Sequence, residues 1–278
     1  MEKTLSPLKV AMLGELRKGY TSGGERGDYV ILEGRNLVDA CRRHGGQLKA
    51  VVLVGQSHAD LEADLEGEFG GGVEVIRASQ AEAREITGFP FHRGVLGLAD
   101  RPMMVPLERL LESVPKGEML VVCPELGDPG NLGAIVRCAV AFGAAGVVVG
   151  RRGPDVFGRK AMRGSAGGVF SIPIAECDSL PLAIAEMAAA GIEVVGADGG
   201  CDSARSVDDY LPTPDKSVAV VLGNEGHGLT GDVLALCDEV IRIDISPQVE
   251  SLNAACAAAV LLHAIRGKGR REPGSCSV

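Results

Sequence analysis

The chain has 278 residues, 46% of them apolar and 23% charged, with a formal charge of −9. These proportions suit one large or two small globular domains with a real core, and they exclude a disordered or low-complexity chain. No stretch reaches the ~18 apolar residues of a membrane span and no amino-terminal run resembles a signal peptide. The eight cysteines form no C-x-x-C pair and no Cys/His metal spacing, so reduced thiols, no metal and a cytoplasmic protein are expected.

The first hundred residues alternate short strands and helices. "YVILEG" reads as a strand and "RNLVDACRRHG" as a helix ending at Gly45. "LKAVVLVG" is the next strand, "HADLEADLEGEF" a helix, "VEVIRA" a strand, "SQAEAREIT" a helix and "GVLGLAD" a strand. This predicts a small α/β domain over residues 1–103. Two prolines bracket the short amphipathic run that follows, which predicts a linker over 104–117.

From Glu118 the pattern restarts. "MLVVCPEL" is a strand, "GAIVRCAVAFG" a helix and "GVVVG" a strand, with a helix near "GRKAMRGSAGG". Then come helix "LPLAIAEMAAAG", strands "IEVVGA" and "SVAVVLGN", short helix "GDVLALC", strand "EVIRIDI" and helix "SLNAACAAAVLLHAIRG". Apolar strands alternating with helices imply a parallel sheet covered on both faces, here spanning 118–268, with a flexible tail over 269–278. The fold class is therefore α/β.

Three glycine-rich or polar turns follow strands in this second domain: "GDPGNLGA", "LGNEGHGL" and "IDISPQVESLN". Open α/β sheets bind ligands at the carboxyl ends of their strands, so the three turns can converge on one nucleotide. The glycine spacing fits neither G-x-G-x-x-G nor a Walker loop, which argues against a nicotinamide dehydrogenase and a nucleoside triphosphatase. Net acidity argues weakly against a nucleic-acid partner, but a local basic patch suffices for binding. Three clusters qualify: Arg42-Arg43; Arg151-Arg152 with Arg159, Lys160 and Arg163; and Arg266 through Arg271. Each can equally be a solvated face.

The three turns, in this order, resemble the motifs of the SpoU/TrmH-type RNA ribose 2′-O-methyltransferases of the SPOUT superfamily. The matching segments are "DPGNLGAIVRCAVAFGAAGVVV", "LGNEGHGL" and "IDISPQVESLNAACAAAVLLHA", with "KAMRGSAGG" between them. Upstream, "LEGRNLVDA" and "HRGVLGLA" resemble the ribosomal-protein-like RNA-binding domain often attached to this family. The resemblance implies a trefoil-knotted parallel-sheet domain, S-adenosylmethionine as cofactor, a homodimer, and an RNA substrate, ribosomal rather than transfer RNA. A tRNA methyltransferase and a catalytically silent RNA-binding relative are the alternatives.

The same resemblance implies site residues. Asn131, Arg137, Glu225, Ser251 and Asn253 form the polar catalytic set. Leu222, Gly223, Gly228, Ile243, Ile245 and Leu252 hold the cofactor. Arg151, Arg152, Arg159, Lys160 and Arg163 contact RNA. Guanidinium stays protonated in proteins, so Arg137 reads as a clamp on phosphate or ribose rather than a base. Asn131 and Ser251 are each also candidates for helix N-caps. His227 falls in a loop and reads as exposed. Asp244 stands where the family has proline; it either approaches the cofactor's positive charge or faces water at a strand end.

Overall fold

The computed structural model describes residues 13–18, 27–55, 61, 72–224 and 226–269. In chain order the first elements are β1 (Tyr29–Glu33), α1 (Arg35–Arg43), β2 (Leu48–Val54), β3 (Glu74–Ala78), α2 (Gln80–Thr87) and β4 (Val95–Asp100). Next come α3 (Leu107–Ser113), β5 (Met119–Cys123), α4 (Pro129–Ala141), β6 (Gly146–Gly150), α5 (Arg159–Ser165) and β7 (Ile174–Cys177). The chain then forms α6 (Leu180–Ala189), β8 (Glu193–Ala197), β9 (Arg205–Ser206) and β10 (Val218–Leu222). It ends with α7 (Gly231–Leu234), β11 (Glu239–Arg242) and α8 (Ala254–Gly269). Residues 13–18 are also helical. The helix expected at "HADLEADLEGEF" lies outside the described residues apart from Leu61, and so does the tail beyond Gly269. Among the described residues, no helix is long and apolar enough to cross a membrane.

Two compact units share the chain. The first comprises the residues up to Met103 together with Phe157–Ser171. Its four strands are ordered β1-β4-β2-β3, with β4 antiparallel to β1 and β2, and β2 parallel to β3. Leu37, Val38, Ala40 and Cys41 form the buried face of α1, a helical three-and-four spacing. The helix lies close to the sheet because β4 carries Gly97, where a Cβ would stand 3.0 Å from Val38 Cγ2. Helix α2 opens with a capping box: Ser79 accepts from the Glu82 N–H while Glu82 accepts from the Ser79 N–H. It closes on Gly88 in the left-handed region.

Helix α5 packs on β1 within this first unit, although its sequence falls inside the stretch expected to be one catalytic domain. Gly167, at φ +87°, permits the approach, because a Cβ there would stand 2.3 Å from that of Ala40. Periodicity shows that a segment is helical; it does not show which sheet the helix covers.

The second unit holds a seven-stranded sheet ordered β7-β6-β5-β10-β8-β11-β9, with every pairing parallel. β5, β6 and β10 are buried along their whole length, as expected of strands covered on both faces. Strands β7 and β9 were not among the expected elements; both are short and lie at the sheet's two edges. Residues 104–117, expected as a linker, instead contribute to this core. Leu110 and Leu111 of α3 are buried with Leu120, Val148, Ile184 and Met187. Gly146 leaves the room, since a Cβ there would meet Leu110 Cδ1 at 2.6 Å. Burying each such leucine contributes about 1.5–3 kcal/mol, which explains why a proline-bracketed segment is ordered.

Candidate active site

Strand β10 follows β8 in the chain yet lies between β5 and β8. Because every pairing is parallel, the turns after β5, β10 and β11 leave the same carboxyl edge of the sheet, where open α/β sheets place their ligands, and the crossover sets the second turn beside the first. In the first turn, Asp128 caps α4, accepting from the N–H groups of Gly130 and Asn131, and Pro129 supplies the first helical residue. Asn131 is therefore inside the first turn of the helix and is not its cap. The Asp-Pro pair is a helix-start signal that sequence reading passed over, which set the expected start at Gly133.

The second turn is closed by a two-residue bridge. Asn224 N–H donates to Gly228 O at 3.1 Å, and Gly228 N–H donates to Asn224 O at 2.9 Å. Gly223 sits beneath this bridge, and a Cβ on it would lie 2.6 Å from the carbonyl carbon of Gly228. Gly228 has φ +67° and faces Asp198, whose Oδ2 accepts the Leu229 N–H at 2.9 Å. Glu225 lies outside the described residues. Asp198 carried no signal in the sequence, because its role depends on a turn 31 residues away.

In the third turn, Asn253 caps α8: its Oδ1 accepts from Ala255 N–H at 2.9 Å and Cys256 N–H at 3.3 Å. Ser251 lies two residues before the cap and is exposed, so its capping role is corrected. The Asn253 amide then donates through Nδ2 to Asn131 Oδ1 at 2.9 Å. A second tie joins the first and second turns, from Asn224 Nδ2 to Glu125 O at 2.7 Å. Two side-chain amides thus connect all three turns. Asp244 is exposed and its Oδ1 accepts from Arg242 Nε at 3.0 Å. A hydrogen bond from Ser206 and the pairing with Arg242 hold its carboxyl below the ordinary range.

Of the expected catalytic set, Asn131 and Asn253 touch. Arg137 is exposed two turns along α4. Of the cofactor set, Leu222 is buried at the end of β10, Gly223, Gly228 and Ile243 are half-buried, and Ile245 and Leu252 are exposed. His227 is exposed. The expected RNA contacts divide between the two units. Arg151 and Arg152 line a cavity of about 200 Å3 beside the second turn, with Asn224 and Gly228. Arg151 Nε also bonds to Glu176 at 3.0 Å and lies 2.8 Å from Asp178. Arg159, Lys160 and Arg163 belong to the first unit. Cys123 is buried, as its apolar run implies, but Cys138 is half-buried and Cys256 is exposed on α8.

The electrostatics of the turns narrow the ligand. Residues 124–131, 223–230 and 243–253 contain no Lys or Arg; they carry Glu125, Asp128, Glu225, Asp244 and Glu250. A phosphate-bearing nucleotide would find no cation on the turns themselves, the nearest lining ones being Arg151 and Arg152 beside the second turn. A nucleoside with a positive charge would not be opposed, and the exposed Ile245, Val249 and Leu252 offer apolar surface for a base.

Residues 118–263 match the model of the SpoU rRNA Methylase family. The chain belongs to that family. The methylase is accordingly an RNA methyltransferase. It is 34% identical over 241 residues to an uncharacterized tRNA/rRNA methyltransferase of Mycobacterium avium, which covers 85% of this chain and 77% of the relative. Among solved structures, it superposes on an AdoMet-bound rRNA methyltransferase from Sinorhizobium meliloti with a TM-score of 0.80 and 25% identity, covering 98% of both chains. It also superposes on the SpoU methyltransferase AviRb from Streptomyces viridochromogenes in complex with AdoMet, with a TM-score of 0.74 and 25% identity, covering 92% of this chain and 97% of AviRb.

Proposed function

We propose that this methylase transfers a methyl group from S-adenosylmethionine to a ribose 2′-hydroxyl of ribosomal RNA. The observation that carries the reading is the convergence of three cation-free turns, tied by Asn253 to Asn131 and by Asn224 to Glu125. Two structural neighbours contain AdoMet, a ligand with an adenosine and a sulfonium charge but no phosphate. That is the ligand class the turns accept. When bound, the cofactor supplies an electrophilic methyl group, so the reaction needs no metal. The backbones at Leu222, Gly223, Gly228, Ile243, Ile245 and Leu252 hold it.

The protein's own task is to position a weakly acidic hydroxyl and help it lose its proton. Arg137 keeps its charge and offers a planar fork of donors, which suits a clamp on the target phosphate or ribose. Such a donor favours the developing oxyanion over the neutral hydroxyl. Asn131, held by Asn253, orients the sugar beside it. Glu225 and Ser251 complete the polar set. The enzyme acts as a homodimer; the exposed apolar Val140 of α4 and Val260 of α8 support this. A trefoil knot in the carboxyl-terminal domain is part of the same reading, supported by the placement of β10 between two earlier strands.

Two measurements test the proposal. Isothermal calorimetry with Arg137→Lys should give parental cofactor affinity while kcat/KM for RNA falls about 100-fold or more, the cost of losing one oxyanion donor. Parental turnover in that variant would remove the clamp. Mapping of 2′-O-methyl groups on ribosomal and transfer RNA incubated with the enzyme tests the substrate. Methylation confined to a base, or to tRNA, would overturn the assignment.

A further inference from the structure

The first unit contains a cavity of about 420 Å3 that gathers three of the expected RNA contacts with residues the sequence did not single out. Its lining is Glu33, Phe89, Arg93, Arg159, Lys160 and Arg163. The volume is typical of ligand pockets, which run roughly 300–1,000 Å3. Its charge is opposite to that of the whole chain: four cations stand around one carboxylate, in a protein of net charge −9.

That carboxylate is occupied. Glu33 is only 4% exposed, and its two oxygens accept from Arg159 Nη1 at 3.1 Å and Arg163 Nη1 at 2.5 Å. The arginines are one turn apart on α5, so one buried charge fixes two guanidinium groups side by side. Each guanidinium has five N–H donors, and a carboxylate contact does not exhaust them. About a third of each arginine side chain stays exposed. Arg93 is exposed, and its aliphatic stem runs past Gly34, close to where a Cβ would be. Lys160 is exposed on the same helix.

Phe89 is the second, independent observation. It is 40% exposed, while Phe91, two residues on, is 2% exposed in the core. The Phe89 ring is part-exposed at the surface. Its backbone is nevertheless held: the Thr87 hydroxyl donates to Phe89 O at 2.7 Å and accepts from Phe89 N–H at 3.4 Å. Gly88 in the left-handed region makes the turn between them. The aromatic ring is thus displayed on a braced turn, beside fixed cations.

We infer that this cavity is a subsite for single-stranded RNA. One unpaired base stacks on Phe89, and the flanking phosphates are held by Arg93, Arg159, Lys160 and Arg163. An aromatic platform beside a cationic groove is how proteins hold single strands. Glu33 is a positioning residue that sets the two arginines. The inference rests on the reading of RNA as substrate, and concerns residues other than those proposed for methyl transfer.

The test uses the full chain and fluorescence anisotropy with an oligoribonucleotide of about ten nucleotides, within the site sizes known for single strands. A second probe of equal length lacks its bases. Phe89→Leu should weaken the base-bearing probe about 5- to 100-fold and leave the abasic probe unchanged, because only the ring face is lost. Phe89→Tyr restores binding. Arg93→Ala should weaken both probes and lower the salt slope by about 0.7, one phosphate contact on a single strand. Parental affinity in Phe89→Leu, or equal weakening of both probes, would overturn the subsite. If that happens while 2′-O-methylation persists, the functional proposal stands without it. If the parent binds neither probe and methylates no RNA, the functional reading itself fails.

Discussion

Replacing Asn253 by Ala removes two interactions that meet on one side chain. Its Oδ1 caps α8, and its Nδ2 donates to Asn131 across two turns. An N-cap contributes about 1 kcal/mol, and a neutral hydrogen bond on an exposed site about 0.5–1 kcal/mol. Asn253→Ala should therefore weaken the start of α8 by about 1.5–2 kcal/mol. Asn253→Ser keeps the cap acceptor but cannot reach Asn131, and Asn131→Ala removes the pair while leaving the cap in place. The assay is amide hydrogen exchange at Ala255 and Cys256, which reads local opening directly. One kcal/mol is roughly a fivefold change in rate, so Asn253→Ala should raise exchange about tenfold or more. Asn131→Ala and Asn253→Ser should raise it only about threefold. The double variant Asn131→Ala/Asn253→Ala should match Asn253→Ala alone, since the pair can be lost only once. Additive effects would show that the two amides are not coupled, and the argument that they join the turns would fail.

Gly223→Ala should abolish detectable cofactor binding by calorimetry, because the new Cβ meets the backbone of Gly228 and opens the bridge. Gly231→Ala, where a Cβ meets nothing within 4 Å, should leave affinity at the parental value. Lys268 donates to the carbonyls of Val207, Asp208 and Tyr210 at 2.5, 2.7 and 3.0 Å, fastening the last helix to that segment. Lys268→Met should cost about 2 kcal/mol in urea unfolding, discounted from three charge-assisted bonds for partial exposure, and expose residues 207–210 to proteolysis. Burial pushes the Cys41 thiol up to about 12, and the Cys177 and Cys237 thiols up to about 11. Below pH 9 these thiols are protonated in both the folded and the unfolded state, so their contribution to stability is intact. As pH rises from 9 towards 11–12 the unfolded thiols ionise first, and stability falls. Mass spectrometry after iodoacetamide at pH 8 should find these three protected.

Five of the seven strands of the second unit's sheet were legible because they are short apolar runs that need no partner to be recognised. The three turns were legible as glycine and proline punctuation at strand ends. What escaped depends on contacts far apart in sequence. Strand β11 stops at Arg242 because its neighbour β9 pairs only at Ile241 and Arg242, so the expected strand through Ile245 runs three residues too far. Asn253, not Ser251, caps α8, although both are good capping residues; the choice follows from the link to Asn131, 122 residues away. Glu33 joins residues 126 and 130 positions distant, and no local pattern assigns α5 to the first sheet rather than the second.

These long-range contacts also sort the charges, which composition alone could not. At 0.15 M salt the screening length is about 8 Å, so an RNA strand responds to the side chains it meets and hardly to a net charge of −9. The turns after β5, β10 and β11 present carboxylates and no cation, which disfavours phosphate there and favours a cationic nucleoside. In the first unit, cations that could take up phosphate are on α5 and at Arg93, and the carboxylate of Glu33 holds two of them, Arg159 and Arg163. Reversing that arrangement, with Glu250→Lys, should let phosphate-bearing nucleotides compete for the cofactor turns. A competition assay with adenosine diphosphate reads this directly, and an unchanged inhibition constant would mean that apolar shape, and not charge, selects the cofactor.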